Sequence, residues 1–166
     1  VGMMKLEMKV DSYEVPWTGI RFTRTGSGKD TDLKRAEIWY DKNENGELNP
    51  VEGVDVLVGT APFTAGTCQI IFPTPTLIPA TTQVYFIAFS IADNAETDKT
   101  VGLECANPTL LFVEEPHGVS AEGFPWASGQ PHIEPTTDTL FVEAGDLAPG
   151  EVMQGDRDVG MLRVFL

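Results

Sequence analysis

The stretch Val84-Tyr85-Phe86-Ile87-Ala88-Phe89-Ser90-Ile91-Ala92 is apolar at nearly every position. Such a continuous run is expected of a central strand that is covered on both faces. Segments elsewhere in the chain alternate apolar and polar residues with a period of two, which predicts half-buried strands. These candidate strands are residues 4–10, 15–25, 33–40, 54–58, 68–72, 101–105, 110–113 and 139–142.

About nine short strands and no stretch of helical period predict an all-β fold, an antiparallel β-sandwich. The 16 glycines and 12 prolines suit turns better than long helices. A closed barrel fits less well, because the strands are short and unevenly spaced. A chain of 166 residues is long enough for one domain with a substantial core.

The charge balance excludes two classes of partner. The chain has 25 acidic and 11 basic side chains, for a net charge of −14. Nucleic-acid binding needs clustered Lys and Arg, which this sequence lacks. An anionic membrane surface is equally disfavoured, and no apolar run approaches the ~20 residues of a spanning helix. We therefore expect neither nucleic-acid binding nor membrane insertion.

Residues 41–52, DKNENGELNPVE, match the calcium-loop pattern D-x-[DN]-x-[DN]-G-x5-E at every defined position. Calcium takes 6–8 oxygen ligands, and alternate residues of a tight loop can point inward together. Gly46 stands where the loop must reverse sharply. The predicted ligands are the side chains of Asp41, Asn43, Asn45, Asn49 and Glu52 and the backbone carbonyl of Glu47.

This EF-hand-like loop lies between two predicted strands and not between two helices. A helix pair that opens on binding is therefore absent, which favours a structural ion over a sensor. With two formal carboxylates, Asp41 and Glu52, we expect a modest affinity, about 10⁻⁴–10⁻³ M as in extracellular modules. The alternative is an Asn- and Gly-rich turn that binds no metal.

Other acidic residues occur in pairs that could form a second ion site. Solvated loop carboxylates are far commoner than ligand clusters, so each pair also has a simple surface interpretation. The pairs are Asp30 with Asp32, Asp93 with Asp98, and Asp156 with Asp158.

Cys68 is in phase with Ile70, and Cys105 is in phase with Leu103, so both thiols should face the core. In an oxidising compartment two such cysteines on adjacent strands could form a disulfide. Sequence alone does not give their Cα separation, so both a Cys68–Cys105 disulfide and a pair of free thiols stay open.

The sequence lacks the motifs of common catalytic sites. The two histidines, His117 and His132, lie beside prolines in an irregular segment, and there is no Gly-x-Ser-x-Gly elbow. A phosphate loop and a dinucleotide fingerprint are also absent. We therefore expect that the protein is not an enzyme.

The irregular segment, residues 116–135, contains Phe124-Pro125-Trp126. An aromatic pair between prolines is expected to cover the edge of the sandwich as a plug, because aromatic residues are usually core. The alternative is an exposed aromatic platform, with Phe124 and Trp126 binding a glycan or peptide.

The beginning of the chain is repeated near its end. Residues 1–6, VGMMKL, match residues 159–164, VGMLRV, at a constant offset of 158 residues. A fixed period of this size predicts a tandem array of whole domains. Residues 1–158 would then be one repeat unit, and 159–166 the first strand of a following repeat. The alternatives are chance similarity and a strand exchanged with a neighbouring subunit.

Several segments together resemble one unit of the tandem Ig-like β-sandwich repeats of very large bacterial extracellular or cell-surface proteins. They are residues 23–26 (TRTG), 30–33 (DTDL), 38–41 (IWYD) with the loop that follows, 84–89 (VYFIAF) and 100–103 (TVGL). Residues 147–156 resemble the join to the next unit. The resemblance implies an Ig-like sandwich that serves as a spacer, stalk or wall component and is stiffened by calcium. Residues 116–135 and the two cysteines have no counterpart in it.

The sequence thus predicts a structural, Ca²⁺-stabilised module of an extracellular or cell-surface fibre or repeat protein, with neighbouring copies as partners. Two alternatives remain. One is an adhesin or carbohydrate-binding module that uses Phe124 and Trp126, and the other is a filament subunit that assembles by strand exchange.

Overall fold

A computed structural model describes residues 1–51 and 53–136, together with the backbone of two short strands at 143–146 and 162–165. The chain divides into two compact units, Val1–Glu134 and Pro135–Leu166. Among the described residues, none forms a helix of the length and apolar character needed to cross a membrane.

The first unit is all-β, as predicted, and its described residues form nine strands and two short 3-10 turns. The turns are Asp30–Asp32 and Pro108–Leu110. The strands are β1 (Gly2–Met8), β2 (Val15–Thr25), β3 (Leu33–Tyr40), β4 (Val56–Ala61), β5 (Thr67–Ile78), β6 (Gln83–Ile91), β7 (Gly102–Cys105), β8 (Leu111–Val113) and β9 (Trp126–Ala127).

These strands form two antiparallel sheets, which confirms the predicted sandwich. One sheet has the order β1-β6-β3-β4. The other has the order β5-β2-β7-β9, and β8 also pairs with β2. The apolar run of β6 lies between β1 and β3, where an interior strand belongs. Its Tyr85, Ile87 and Phe89 join the core, while Phe86 and Ala88 are buried on the opposite face.

The core is held by aromatic contacts around Trp17, which is fully buried on β2. The Trp17 ring meets Phe72 of the same sheet edge-on at 4.7 Å and Tyr85 of the other sheet at 5.1 Å. Its indole N–H donates to the Gly19 carbonyl at 2.7 Å. Each such side chain contributes roughly 1.5–3 kcal/mol by leaving water, so the contacts across the sheets fix β2 and β6 relative to each other.

The second unit contains, in its described part, strands β10 (Glu143–Asp146) and β11 (Leu162–Phe165). They pair antiparallel, with Glu143 opposite Phe165. The predicted strand at 139–142 and the predicted boundary between residues 158 and 159 lie outside the described residues.

Candidate metal centre

The predicted calcium loop connects β3 to β4, so it lies between strands as the sequence indicated. The two strands pair directly, with Tyr40 opposite Val56, which brings the two ends of the loop together. The Asp41 amide donates to the Val84 carbonyl at 3.0 Å and fixes the start of the loop against β6. Leu48 reaches back to β1, where its Cδ2 would lie 3.3 Å from a Cβ on Gly2.

Asp41 is the buried acid at the start of the loop, with 2% of its surface exposed. Its Oδ2 accepts a hydrogen bond from the Gly46 amide at 2.8 Å. Gly46 has a φ of +74°, the left-handed conformation that the motif requires of this position. The other carboxylate oxygen, Oδ1, is buried and accepts no hydrogen bond from the described residues.

The asparagines fold the middle of the loop into consecutive turns. Asn43 Oδ1 accepts from the Asn45 amide at 3.0 Å, and Asn45 Oδ1 accepts from the Glu47 amide at 2.8 Å. The Glu47 carbonyl accepts from Asn49 Nδ2 at 2.8 Å. The structure thus brings Asp41, Asn43, Asn45, Glu47 and Asn49 into one loop network, whereas Glu52 lies outside the described residues.

Asp55 is a residue of this site that sequence reasoning missed. The alternation of residues 54–58 predicted one strand over this stretch, and the structure contains that strand only from Val56 onward. β4 begins only at Val56, which is exposed, whereas Asp55 is 3% exposed. Its Oδ2 accepts from the Asn49 amide at 2.6 Å, and its Oδ1 is buried without a partner among the described residues.

The four buried acids of the described chain therefore fall into two groups. Both carboxylate oxygens of Asp32 and of Glu37 accept hydrogen bonds. Asp41 and Asp55 each keep one buried oxygen unpartnered, and among the described residues the only other such side-chain atom is Thr25 Oγ1. A buried charge without a partner is costly, so these two oxygens are the candidate contacts for a cation.

The available donors fit a hard cation. Carboxylate, amide and backbone carbonyl oxygens are the ligands that calcium prefers, at 6–8 per ion. Within the described residues no three Asp, Glu, His or Cys side chains cluster as ligands, so the donor set would rest on asparagines and carbonyls as well as acids. Lys5 lies near Gly46 and pairs with Glu7 at 3.3 Å on the exposed rim. Because solvent screens this ammonium, it opposes a bound cation only weakly.

The other acidic pairs have structural explanations where they are described. Asp30 accepts hydrogen bonds from Arg24 at 2.9 Å and from the Gly66 amide at 2.8 Å, and the Gly66 bond is the main cause of its lowered pKa. Asp93 pairs with Lys34 at the surface, and Asp98 is exposed. Asp156 and Asp158 lie outside the described residues.

Cys68 and Cys105 are buried and face the core, as predicted, but both are free thiols. They lie on β5 and β7, and β2 runs between these strands. Two strand spacings amount to about 9.5 Å, whereas a disulfide needs Cα atoms within about 7 Å. The structure therefore does not contain the disulfide that the sequence left open. Burial raises the pKa of Cys68 to about 12 and of Cys105 to about 11, so neither thiol is reactive.

Phe124 and Trp126 form a stacked pair with ring centroids 3.9 Å apart. Both are half-buried and pack against the core cluster. Trp126 also pairs with Cys105 through β9, which adds a short strand to the edge of the sheet. This packing agrees with an edge plug more closely than with a free aromatic platform.

Comparison with protein-family models and with the sequences of curated proteins finds no match for this chain.

Proposed function

We propose that the protein is a structural β-sandwich module that binds one Ca²⁺ in the loop between β3 and β4. The observation that carries the proposal is the buried, unpartnered Oδ1 of Asp41 in a loop whose spacing fits calcium at every defined position. The ligands are Asp41, Asn43, Asn45, Glu47 through its carbonyl, Asn49 and Glu52.

The ion has a structural role. Calcium would supply positive charge at the buried carboxylate and tie together turns whose side chains are otherwise exposed. The residues of the chain shape the loop around the ion. Gly46 reverses the backbone, and the side-chain oxygens of Asn43 and Asn45 accept hydrogen bonds from backbone amides two residues further on. The loop is flanked by paired strands, so binding stiffens the module without opening it.

We further propose that the module is one copy in an extracellular or cell-surface repeat or fibre protein, with neighbouring copies as partners. The repeated segment supports this proposal, since residues from both of its occurrences lie in strands, β1 and β11. A net charge of −14 keeps such an array soluble and self-repelling. A modest affinity suffices in surroundings rich in calcium.

The calcium assignment predicts a specific loss of thermal stability in Asp41→Asn. If Kd is near 10⁻⁴ M, 10 mM calcium stabilises the wild type by about 2.7 kcal/mol, or roughly 8 °C in Tm. The variant should lose most of this gain, because the amide cannot supply the missing charge. Thermal melting followed by circular dichroism, in calcium and in EDTA, measures the difference.

Asp93→Asn is the matched control, since it removes the same charge from an exposed acid. It should keep the full calcium response. Equal melting shifts for Asp41→Asn in calcium and in EDTA would mean that Asp41 has only a folding role, and the assignment would fail.

A further inference from the structure

We propose that Asp55 is a calcium ligand, so that the ion joins the end of β3 to the start of β4. This inference rests on the proposed calcium function and adds to it a residue that lies beyond the twelve-residue motif.

The surroundings of Asp55 match those of Asp41 in three respects. Each side chain is nearly fully buried, at 3% and 2% exposure. Each uses Oδ2 to accept one backbone amide of the loop, from Asn49 and from Gly46. Each leaves a buried Oδ1 without a hydrogen bond from the described residues. Asp41 and Asp55 therefore each have one buried carboxylate oxygen without a partner, one at the start of the loop and one after its end.

In the described part of the chain, no Lys or Arg side chain pairs with either acid. Every ion pair formed there involves other acids, so neither Asp41 nor Asp55 has a Lys or Arg partner within 4.0 Å. Burying an ionised carboxylate without a partner costs several kcal/mol. A bound divalent cation offsets that cost at both acids at once.

The type of donor indicates which cation fits. Asp41, Asp55 and the loop asparagines would bind a metal through oxygen atoms, which favours calcium over the softer transition metals. Asn49 turns its side-chain nitrogen toward the Glu47 carbonyl and its backbone amide toward Asp55. Asp55 is thus in direct contact with Asn49, which the motif gives as a ligand.

Isothermal titration of the full chain with calcium chloride tests the assignment. Asp55→Asn keeps the size of the side chain and an acceptor for the Asn49 amide but loses the charge. We expect its Kd to rise at least tenfold over the wild type, as for Asp41→Asn, while the exposed-acid control Asp93→Asn binds like the wild type.

A second measurement does not depend on how a variant folds. In wild-type protein labelled with ¹³C, the carboxyl resonance of Asp55 should shift on addition of calcium, while that of Asp93 should not. If Asp55→Asn does not melt cooperatively, Asp55→Ser replaces it in the titration with the same expected result.

The outcomes separate the two proposals. A wild-type chain that binds no calcium overturns both of them. Calcium binding that is lost in Asp41→Asn but unchanged in Asp55→Asn, with a stationary Asp55 resonance, overturns the role of Asp55 and leaves the calcium function standing.

Discussion

Asp32 and Asp55 are both buried acids, but their carboxylate oxygens have different partners. Asp32 Oδ2 accepts from the Lys29 amide at 2.6 Å, and its Oδ1 accepts from the Glu96 amide at 3.0 Å. Asp32 is therefore satisfied by the chain itself, and it fixes the turn before β3. Asp55 has one such bond, and its second oxygen is what suggests an ion.

The hydrogen bonds of Asp32 predict a pH-dependent stability. Burial raises the pKa of this carboxyl, but the two amides and the charges of Lys29 and Arg24 together lower it by more, so that it lies below the ordinary value of 3.8. A lowered folded pKa contributes stability above the unfolded value, and this contribution is lost as the pH falls through the folded pKa. Asp32→Asn should therefore cost about 2 kcal/mol near neutral pH and progressively less below pH 3.8.

Urea unfolding of the wild type and the variant at several pH values measures this difference in the free energy of unfolding. Asp93→Asn removes an exposed acid and should change stability by less than about 0.5 kcal/mol. If the difference in unfolding free energy between wild type and Asp32→Asn stays constant below pH 3.8, the charge of Asp32 is not what stabilises the turn.

At the scale of elements, the proposed calcium loop precedes an edge strand. β4 pairs only with β3 inside its sheet, and Val56 and Leu57 at its start are exposed. An edge strand with few buried contacts is expected to open before the central strands do. An ion held by Asp41 and Asp55 would close the loop and oppose this opening.

We therefore expect calcium to slow amide hydrogen exchange most strongly in β4. In EDTA the β4 amides should exchange at least tenfold faster than in calcium, whereas the amides of β6 in the middle of the sheet should change much less. Exchange measured by NMR for each strand makes the comparison within one sample. Equal acceleration in β4 and β6 would mean that the ion stabilises the whole unit and not this edge.

The strands of the first unit were largely predictable, because each carries its pattern in its own residues. The predicted bounds of β2 match the structure, and the apolar run of β6 indicated its interior position. Asp55 was not predictable in this way, since it directly follows a turn in which the Val54 amide donates to the Val51 carbonyl, and β4 begins only after this turn. The separation of the two cysteines likewise depends on strand order, which local periodicity does not specify.

At the scale of the molecule, assembly depends on whether a strand position is vacant. β1 pairs with β6 along most of its length, from Gly2 opposite Ala88 to Met8 opposite Gln83. The chain thus fills with its own first strand the place that an exchanged copy of residues 159–166 would take. Sheet edges in native proteins are normally paired or blocked, so covalent repetition is favoured over strand exchange.

We therefore expect the isolated chain to be a monomer of 18.1 kDa in millimolar calcium and after chelation. Light scattering after size exclusion measures the mass directly, and the net charge of −14 further opposes self-association. Polymers in calcium alone would instead assign the ion to a junction between subunits, and deletion of residues 159–166 would then identify the strand that joins them. A monomer in both buffers, with the calcium-dependent melting of the wild type intact, would keep the ion inside one module, and each copy of the proposed array would then be stiffened by its own ion.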